Sequence, residues 1–363
     1  MKNAKILVGS REFMEHLKEA ALVAKESFYV QAMTFEGDAA GEELIDIMIE
    51  SPADDKRLLI DSFSKVVISD SFVFSTRYLK DSAFRKEITQ TRVLIKKAEQ
   101  SGVKIQFTNP VGWLMSKYPL RNHKKMMIAD DEVAFLGGIN FSDHNFEWHD
   151  IMIQIDDKEI GHLMAEDFRK TWIGKNQSIR QSREESDLWF LNGIKSKALY
   201  SSLFDKIQTA SQSVTVISPY VSEPLMSVLK GCSGRGLKVQ IISPSENNKS
   251  LFGEYVLSEL RKGYFSLRHY PGMFHLKAIL IDNNELIIGS SNYDLISYYF
   301  EQEVVLSSKQ KQLIESFRSD VLKPILDESR EVLTGKSSAK AKIIMNGLAV
   351  FCRFASGTVL RPK

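Results

Sequence analysis

The chain has 363 residues, 43% of them apolar, enough for two domains of about 150 residues each with sizeable cores. Lys plus Arg is 48 against 46 Asp plus Glu, a net charge of +2, which argues against a protein built mainly to grip a long nucleic-acid backbone. Local charge can still serve a nuclease, whereas the two cysteines, Cys232 and Cys352, form no metal-ligand pattern and read as free thiols of a reducing compartment.

The N-terminal MKNAKILVGSREF reads as a first strand and lacks the long apolar run and cleavage site of a signal peptide. No window approaches about 20 consecutive apolar residues, so no spanning helix is predicted. FYVQAM, RLLI and VKIQF read as strands and residues 41–50 as a helix. Residues 67–100 open on FVFSTRYL, which reads as crossover structure or as a flap over a substrate entrance, and continue as a charged helix. Met33, Met126, Met127, Met152 and Trp113-Leu114-Met115 suit an acyl-chain groove or ordinary core packing. Gly174 to Asp187 is polar and reads as a linker. The second half repeats the alternation, with the helix-like SKALYSSLFDKIQTA, strands VTVIS, LKVQII and YFSLRHY, and a helix over 223–230. Helix N-termini at 41 and 223 would favour a nearby anion, or serve only as solvent-facing caps. The alternation predicts α/β layers: a first domain over 1–175, a linker over 176–194, a second domain over 195–335 and a basic–apolar tail over 336–363. The tail run IIMNGLAVFCRF, set among Lys340, Lys342, Arg353, Arg361 and Lys363, predicts a helix docked on the domain or a segment lying on an anionic membrane surface.

Two segments carry one spelling: HKKMMIADDEVAFLGGIN from His123 and HLKAILIDNNELIIGSSN from His275. In both, Lys follows the His by two residues, Asp by seven, Gly by fourteen and Asn by seventeen. Residues two apart share a strand face, so His123 pairs with Lys125 and His275 with Lys277. A polar turn and a second apolar run follow each, which predicts a β-hairpin presenting His, Lys and Asn140 or Asn292 together. The small residues Gly137, Gly138, Gly289 and Ser290 would let backbone approach a ligand closely, or simply pack strands. Two ammonium groups and two amides can hold the oxygens of a phosphate diester. A neutral imidazole can attack phosphorus while a protonated one supplies the leaving oxygen's proton, without any metal. Asp130 and Asp282 open the turns; a structural role there is as well supported as a catalytic one.

At these residues the chain resembles the phospholipase D superfamily, most closely its cardiolipin synthase and phosphatidyltransferase branch. The family motif HxKxxxxDxxxxxxG(G/S)xN is intact twice. Phe35-Glu36-Gly37-Asp38 with Gly41, Trp148-His149-Asp150 and Ser218-Pro219-Tyr220 extend the resemblance over roughly residues 5–325. It implies a phospholipase D-like α/β fold of two similar α/β/α sandwich halves with one composite active site at their interface. It further implies a catalytic set of His123 as nucleophile, His275 as general acid, Lys125, Lys277, Asp130 and Asp282, with Asp150 and Glu303 orienting the imidazoles. One departure is Ile296-Ser297-Tyr298 where the branch has Arg-Ser-Phe, which leaves headgroup and acceptor open. The implied activity is a cofactor-free phosphatidyl transfer joining two phosphatidylglycerols through a phosphohistidine. The alternatives are hydrolysis of phospholipid headgroups and a nuclease-type phosphodiesterase. Expected partners are anionic phospholipid, a membrane surface and an alcohol or water acceptor, with nucleic acid as the minor alternative and the oligomeric state undetermined. The expected location is cytoplasmic, not secreted, in a protein that is soluble or reaches lipid peripherally.

Overall fold

The computed structural model describes residues 3–335 and 338–357. The chain divides into two compact units, Met1–Gln177 and Ser178–Lys363. Each is built on a mixed β-sheet flanked by helices.

The first unit holds β1 (Asn3–Val8), α1 (Gly9–Val23), β2 (Ser27–Ala32), α2 (Ala39–Glu50) and β3 (Asp55–Asp61). A short ribbon of β4 (Val67–Ile68) and β5 (Ser71–Phe72) follows, then α3 (Thr76–Lys80), α4 (Ser82–Gln100) and β6 (Lys104–Thr108). The motif hairpin is β7 (Met126–Ala129) and β8 (Val133–Gly137); α5 (Asp143–Phe146), β9 (Ile151–Asp156) and α6 (Lys158–Trp172) complete the unit. The seven-stranded sheet runs β1-β9-β8-β7-β2-β3-β6, with β2, β3 and β6 parallel and the hairpin antiparallel to β2. Strand parity assigns the two faces. Phe28, Val30, Met127, Phe135 and Met152 pack with Phe13, Leu17, Leu44, Met48 and Leu94 of α1, α2 and α4. Tyr29 points the other way and stacks on Phe168 of α6, ring centroids 4.6 Å apart. Both faces are covered, so β2 is buried throughout, its two polar residues Ser27 and Gln31 included.

The second unit begins with β10 (Ile179–Ser182), β11 (Ser186–Asn192), α7 (Lys197–Gln208), β12 (Ser213–Ile217), α8 (Leu225–Gly234) and β13 (Lys238–Pro244). α9 (Ser250–Leu260), β14 (Ser266–Tyr270), the hairpin β15 (Ala278–Ile281) and β16 (Glu285–Gly289), α10 (Leu295–Tyr299) and β17 (Gln302–Ser308) follow. α11 (Lys311–Ser316), α12 (Lys323–Glu328), β18 (Arg330–Glu331) and α13 (Ala339–Gly357) close it. Its nine strands run β10-β11-β17-β16-β15-β12-β13-β14-β18. The inner order β17-β16-β15-β12-β13-β14 repeats β9-β8-β7-β2-β3-β6 element for element.

The stretch read as a linker, 176–194, differs from that expectation, since it supplies β10 and β11. β10 is a four-residue edge strand of alternating burial, where polar residues are tolerated and apolar periodicity is weak. The tail forms α13, docked through Ala341, Met345, Cys352 and Ala355, with Met345 inside the second unit's core. Arg361 and Lys363 lie outside the described residues. Among the described residues no helix is long and apolar enough to cross a membrane.

Candidate active site

Each hairpin is closed by the same turn. Asp130 and Asp131 have φ of 52° and 54°, Asp282 and Asn283 have 50° and 56°. The N–H of Glu132 reaches Ala129 O at 3.0 Å and that of Asn284 reaches Ile281 O at 2.9 Å. A primed type I turn needs two positive φ angles, which Asp and Asn tolerate, and its twist suits a hairpin. Asp130 accepts the N–H groups of Lys25, Glu26 and Ser27 at 2.8–3.1 Å. Asp282 accepts those of Ser211, Gln212 and Ser213 and the Ser211 hydroxyl at 2.7–2.9 Å. Each carboxylate therefore clamps the start of the neighbouring strand, β2 or β12, at the hairpin end opposite the histidine. Of the two roles open to Asp130 and Asp282, that geometry fits the structural one: their oxygens are taken up largely by backbone. Burial opposes the Asp282 charge, yet the N–H groups of Ser213, Ser211 and Gln212 outweigh it and hold the carboxyl down at about 2.

The other end of the hairpin gathers the remaining motif residues. His123 and Lys125 sit in the extended segment just before β7, His275 and Lys277 just before β15, rather than inside the strands. All four are buried. Lys125 Nζ donates to His123 O at 2.9 Å, and Lys277 Nζ lies 2.5 Å from His275 Nδ1. An ammonium has no lone pair, so His275 Nδ1 accepts and the ring proton is on Nε2. The Tyr220 ring meets the His275 ring edge-on, centroids 6.2 Å apart. Asn140 Oδ1 accepts Thr34 N at 3.2 Å. At the matching register of the second sheet Tyr220 N goes to Ser218 Oγ instead, and Asn292 Oδ1 stays buried without a hydrogen-bond partner among the described residues.

The small residues have a steric cause. A Cβ on Gly137 would lie 2.3 Å from Ile151 O, and one on Gly289 2.2 Å from Val304 O. Gly137 pairs with Met152 and Gly289 with Val305, so Asp150 and Glu303 occupy the same register position two residues earlier, Asp150 just ahead of β9 and Glu303 within β17. A Cβ on Gly138 would lie 2.4 Å from both Asp150 oxygens, whereas Ser290 Oγ donates to Glu303 Oε2. The motif's second small residue thus abuts the buried acid in both units, by leaving room in one and by a hydroxyl in the other.

Several residues here carried no motif signal. Ser297 Oγ lies 2.9 Å from Glu301 Oε2 and 2.8 Å from Glu303 Oε1. One hydroxyl has one proton, so Ser297 can donate to only one of the two carboxyls at a time. Glu303 also accepts from Ser290, through Oε2. Burial pushes the neighbouring Asp294 carboxyl up to about 6, against the pull of the Ser297 N–H and the Lys249 charge. In the first unit, Asp61 receives Arg121 Nη1 at 2.6 Å and Asn122 N at 2.5 Å, and Gln31 Nε2 donates to Asn122 Oδ1 at 2.9 Å. Lys124, on the opposite face from His123 and Lys125, makes a fully buried ion pair with Asp167 of α6 at 2.5 Å. Lys124 could have been suspected from sequence by its parity within HKK, and Ser297 as the residue that Ile296-Ser297-Tyr298 shares with Arg-Ser-Phe.

Glu36, Asp38 and Glu87 bring carboxylate oxygens within 4.8 Å of one another, a grouping able to hold a cation. Ser69 Oγ already donates to Glu87, and His144 Nδ1 stands 3.4 Å from Glu36 Oε2. Burial pulls His144 down, but Glu36, Asp70 and Asp38 overcome it and raise the imidazole. Met126, Met127 and Met152 are core residues, while Trp113 is 83% exposed and Leu114 78%. Phe72 and Phe74 of the aromatic segment stack at 5.1 Å beside Tyr118.

Comparison with known proteins agrees with this architecture. The family described as "Cardiolipin synthase, PLD-like domain" matches residues 17–172 and 203–323. Cardiolipin synthase A of Pseudomonas putida (strain W619) is 24% identical over 95% of this chain and 73% of its own length. Minor cardiolipin synthase ClsB of Bacillus subtilis (strain 168) is 27% identical over 61% of this chain, which spans 59% of that relative. The crystal structure of phosphatidylserine synthase from Haemophilus influenzae Rd KW20 shares the fold, with a TM-score of 0.67 at 15% identity over 98% of this chain and 94% of that one. The matched family covers both hairpins and well over half of the sequence, and the chain belongs to the phospholipase D superfamily, in its cardiolipin-synthase-like, phosphodiester-handling family.

Proposed function

We propose that the protein is a phosphatidyltransferase of cardiolipin-synthase type whose two half-sites act together on one phosphodiester. The observation that carries this reading is that each unit presents a complete set, His, Lys, Asn and a buried acid, at the same register of the same hairpin. A single diester needs a nucleophile and a proton donor, and each unit has one motif histidine to give.

In the proposed cycle His123 Nε2 attacks the phosphorus of a phosphatidylglycerol. The P–N bond forms, the P–O bond to glycerol breaks, and His275 Nε2 gives its proton to the departing oxygen. Lys125, Lys277, Asn140 and Asn292 hold the phosphoryl oxygens, with Asp150 and Glu303 orienting the rings. A second phosphatidylglycerol hydroxyl then attacks, His275 takes its proton and the P–N bond breaks.

Product mass spectrometry on phosphatidylglycerol vesicles tests this reading. Cardiolipin and glycerol are the expected products; phosphatidic acid alone would make the enzyme a hydrolase, and turnover of an oligonucleotide instead of lipid would sink the lipid reading. Replacing His123 or His275 by Ala should each cost about 10²–10⁴-fold in turnover. A half-rate in either variant would mean two independent sites.

A further inference from the structure

We propose that α13 is a bilayer-docking helix whose outer face lies on an anionic phospholipid surface; this deepens the proposed function, from which the lipid substrate is taken. A helix packed on a soluble domain normally turns polar residues outward. Here the inner face is already used by Ala341, Met345, Cys352 and Ala355. The outer face is apolar too: Ile343 is 71% exposed, Val350 70% and Phe351 57%. At about 100° per residue, Ile343, Ile344, Val350, Phe351 and Phe354 fall within an arc about 120° wide, opposite the docked side.

The charge pattern selects the occupant. AKAKIIMNGLAVFCRFASG contains Lys340, Lys342 and Arg353 and no acidic residue. Lys342, Asn346 and Arg353 share one border of the apolar arc; Lys342 stands 4.0 Å from Glu259, and the exposed Arg353 can reach headgroups while the stripe enters the acyl boundary. The helix is too polar to span a bilayer and has its inner face occupied, so it lies in the interface.

Sedimentation of the full chain with vesicles tests this, and binding is read without turnover, so it stands or falls separately from the reaction. The wild type should bind phosphatidylcholine vesicles containing phosphatidylglycerol, weakly bind pure phosphatidylcholine, and be released by salt. Ile343→Ser with Phe351→Ser should lower partitioning about 10- to 100-fold. Lys340→Gln with Arg353→Gln should lower it about 30-fold at low ionic strength and abolish the preference for the anionic lipid. All four positions are exposed, and unchanged turnover of dispersed short-chain phosphatidylglycerol by these variants supports a role in docking alone. Equal vesicle binding by wild type and both double variants overturns the proposal. So does self-association of the wild type, abolished by the serine pair, in the absence of vesicle binding; that would assign the face to a second copy of the chain.

Discussion

Proton placement at Ser297 gives the sharpest expectation for a single side chain. If Glu301 is the neutral member, Glu301→Gln keeps a donor facing Ser297 Oγ and should retain most activity and fold stability. Glu303→Gln removes the carboxylate that accepts from both Ser290 and Ser297, and should cost at least about 10²-fold in turnover. Infrared difference spectra check the assignment directly: the carboxylic-acid carbonyl band of the wild type should disappear in Glu301→Gln. A band that persists there and vanishes in Glu303→Gln reverses it. The motif histidines, lysines and asparagines were legible because their spacing occurs twice. The role of Ser297 was not, because its significance is a contact with residues four and six positions on, brought back by α10 and β17. Asp130 was legible as a residue but not in its role, since the amides it holds lie more than a hundred positions earlier.

Elements explain the two stability experiments. The strand entering β7 is tied to α6 by Lys124 and Asp167, both fully buried; the repeat places buried Leu276 at the corresponding position. Lys124→Ala strands the Asp167 charge and should destabilise the first unit by about 3–5 kcal/mol, whereas Lys124→Leu combined with Asp167→Leu should restore most of the loss. Denaturant titration followed by tryptophan fluorescence measures both. The second experiment uses the hairpin clamp. A carboxyl held at about 2 in the folded state, against 3.8 ordinarily, adds stability that is present above about pH 4 and is lost as pH falls through 2. Asp282→Asn should lower the melting temperature at neutral pH and flatten its decline over that acid window; an unchanged decline would remove the clamp from the acid sensitivity. The hairpins themselves were readable from turn residues between apolar runs. β10 was not, because a short polar edge strand has no periodicity to set it apart from a linker, while β11, with its apolar LWFL, was absorbed into the same stretch.

For the whole molecule, charge balance governs the response to pH and to chelation. His144 is raised by its carboxylate neighbours, so its contribution to stability is complete below its ordinary value near 6.5 and fades as pH rises through the folded value. Calorimetry should show the melting temperature falling over that alkaline-going window, and His144→Gln should abolish the fall. Since the His144 ring already stands beside Glu36, and lysines serve each motif, exhaustive chelation should leave both melting and turnover of a detergent-dispersed lipid unchanged; loss restored by a single divalent ion would refute this. Alternation of helices and strands made the duplicated α/β plan legible, and the repeated strand order shows how far the duplication has been kept. The differing companions of the buried acids show where it has not. Gly138→Ser would drive a side chain into the Asp150 carboxylate, and Ser290→Gly would strip Glu303 of a donor. Small residue and acid have therefore diverged as a pair: exchanging a hairpin alone between the units would set a serine against Asp150 or leave Glu303 beside a glycine, whereas exchanging hairpin and acid together would carry each contact intact.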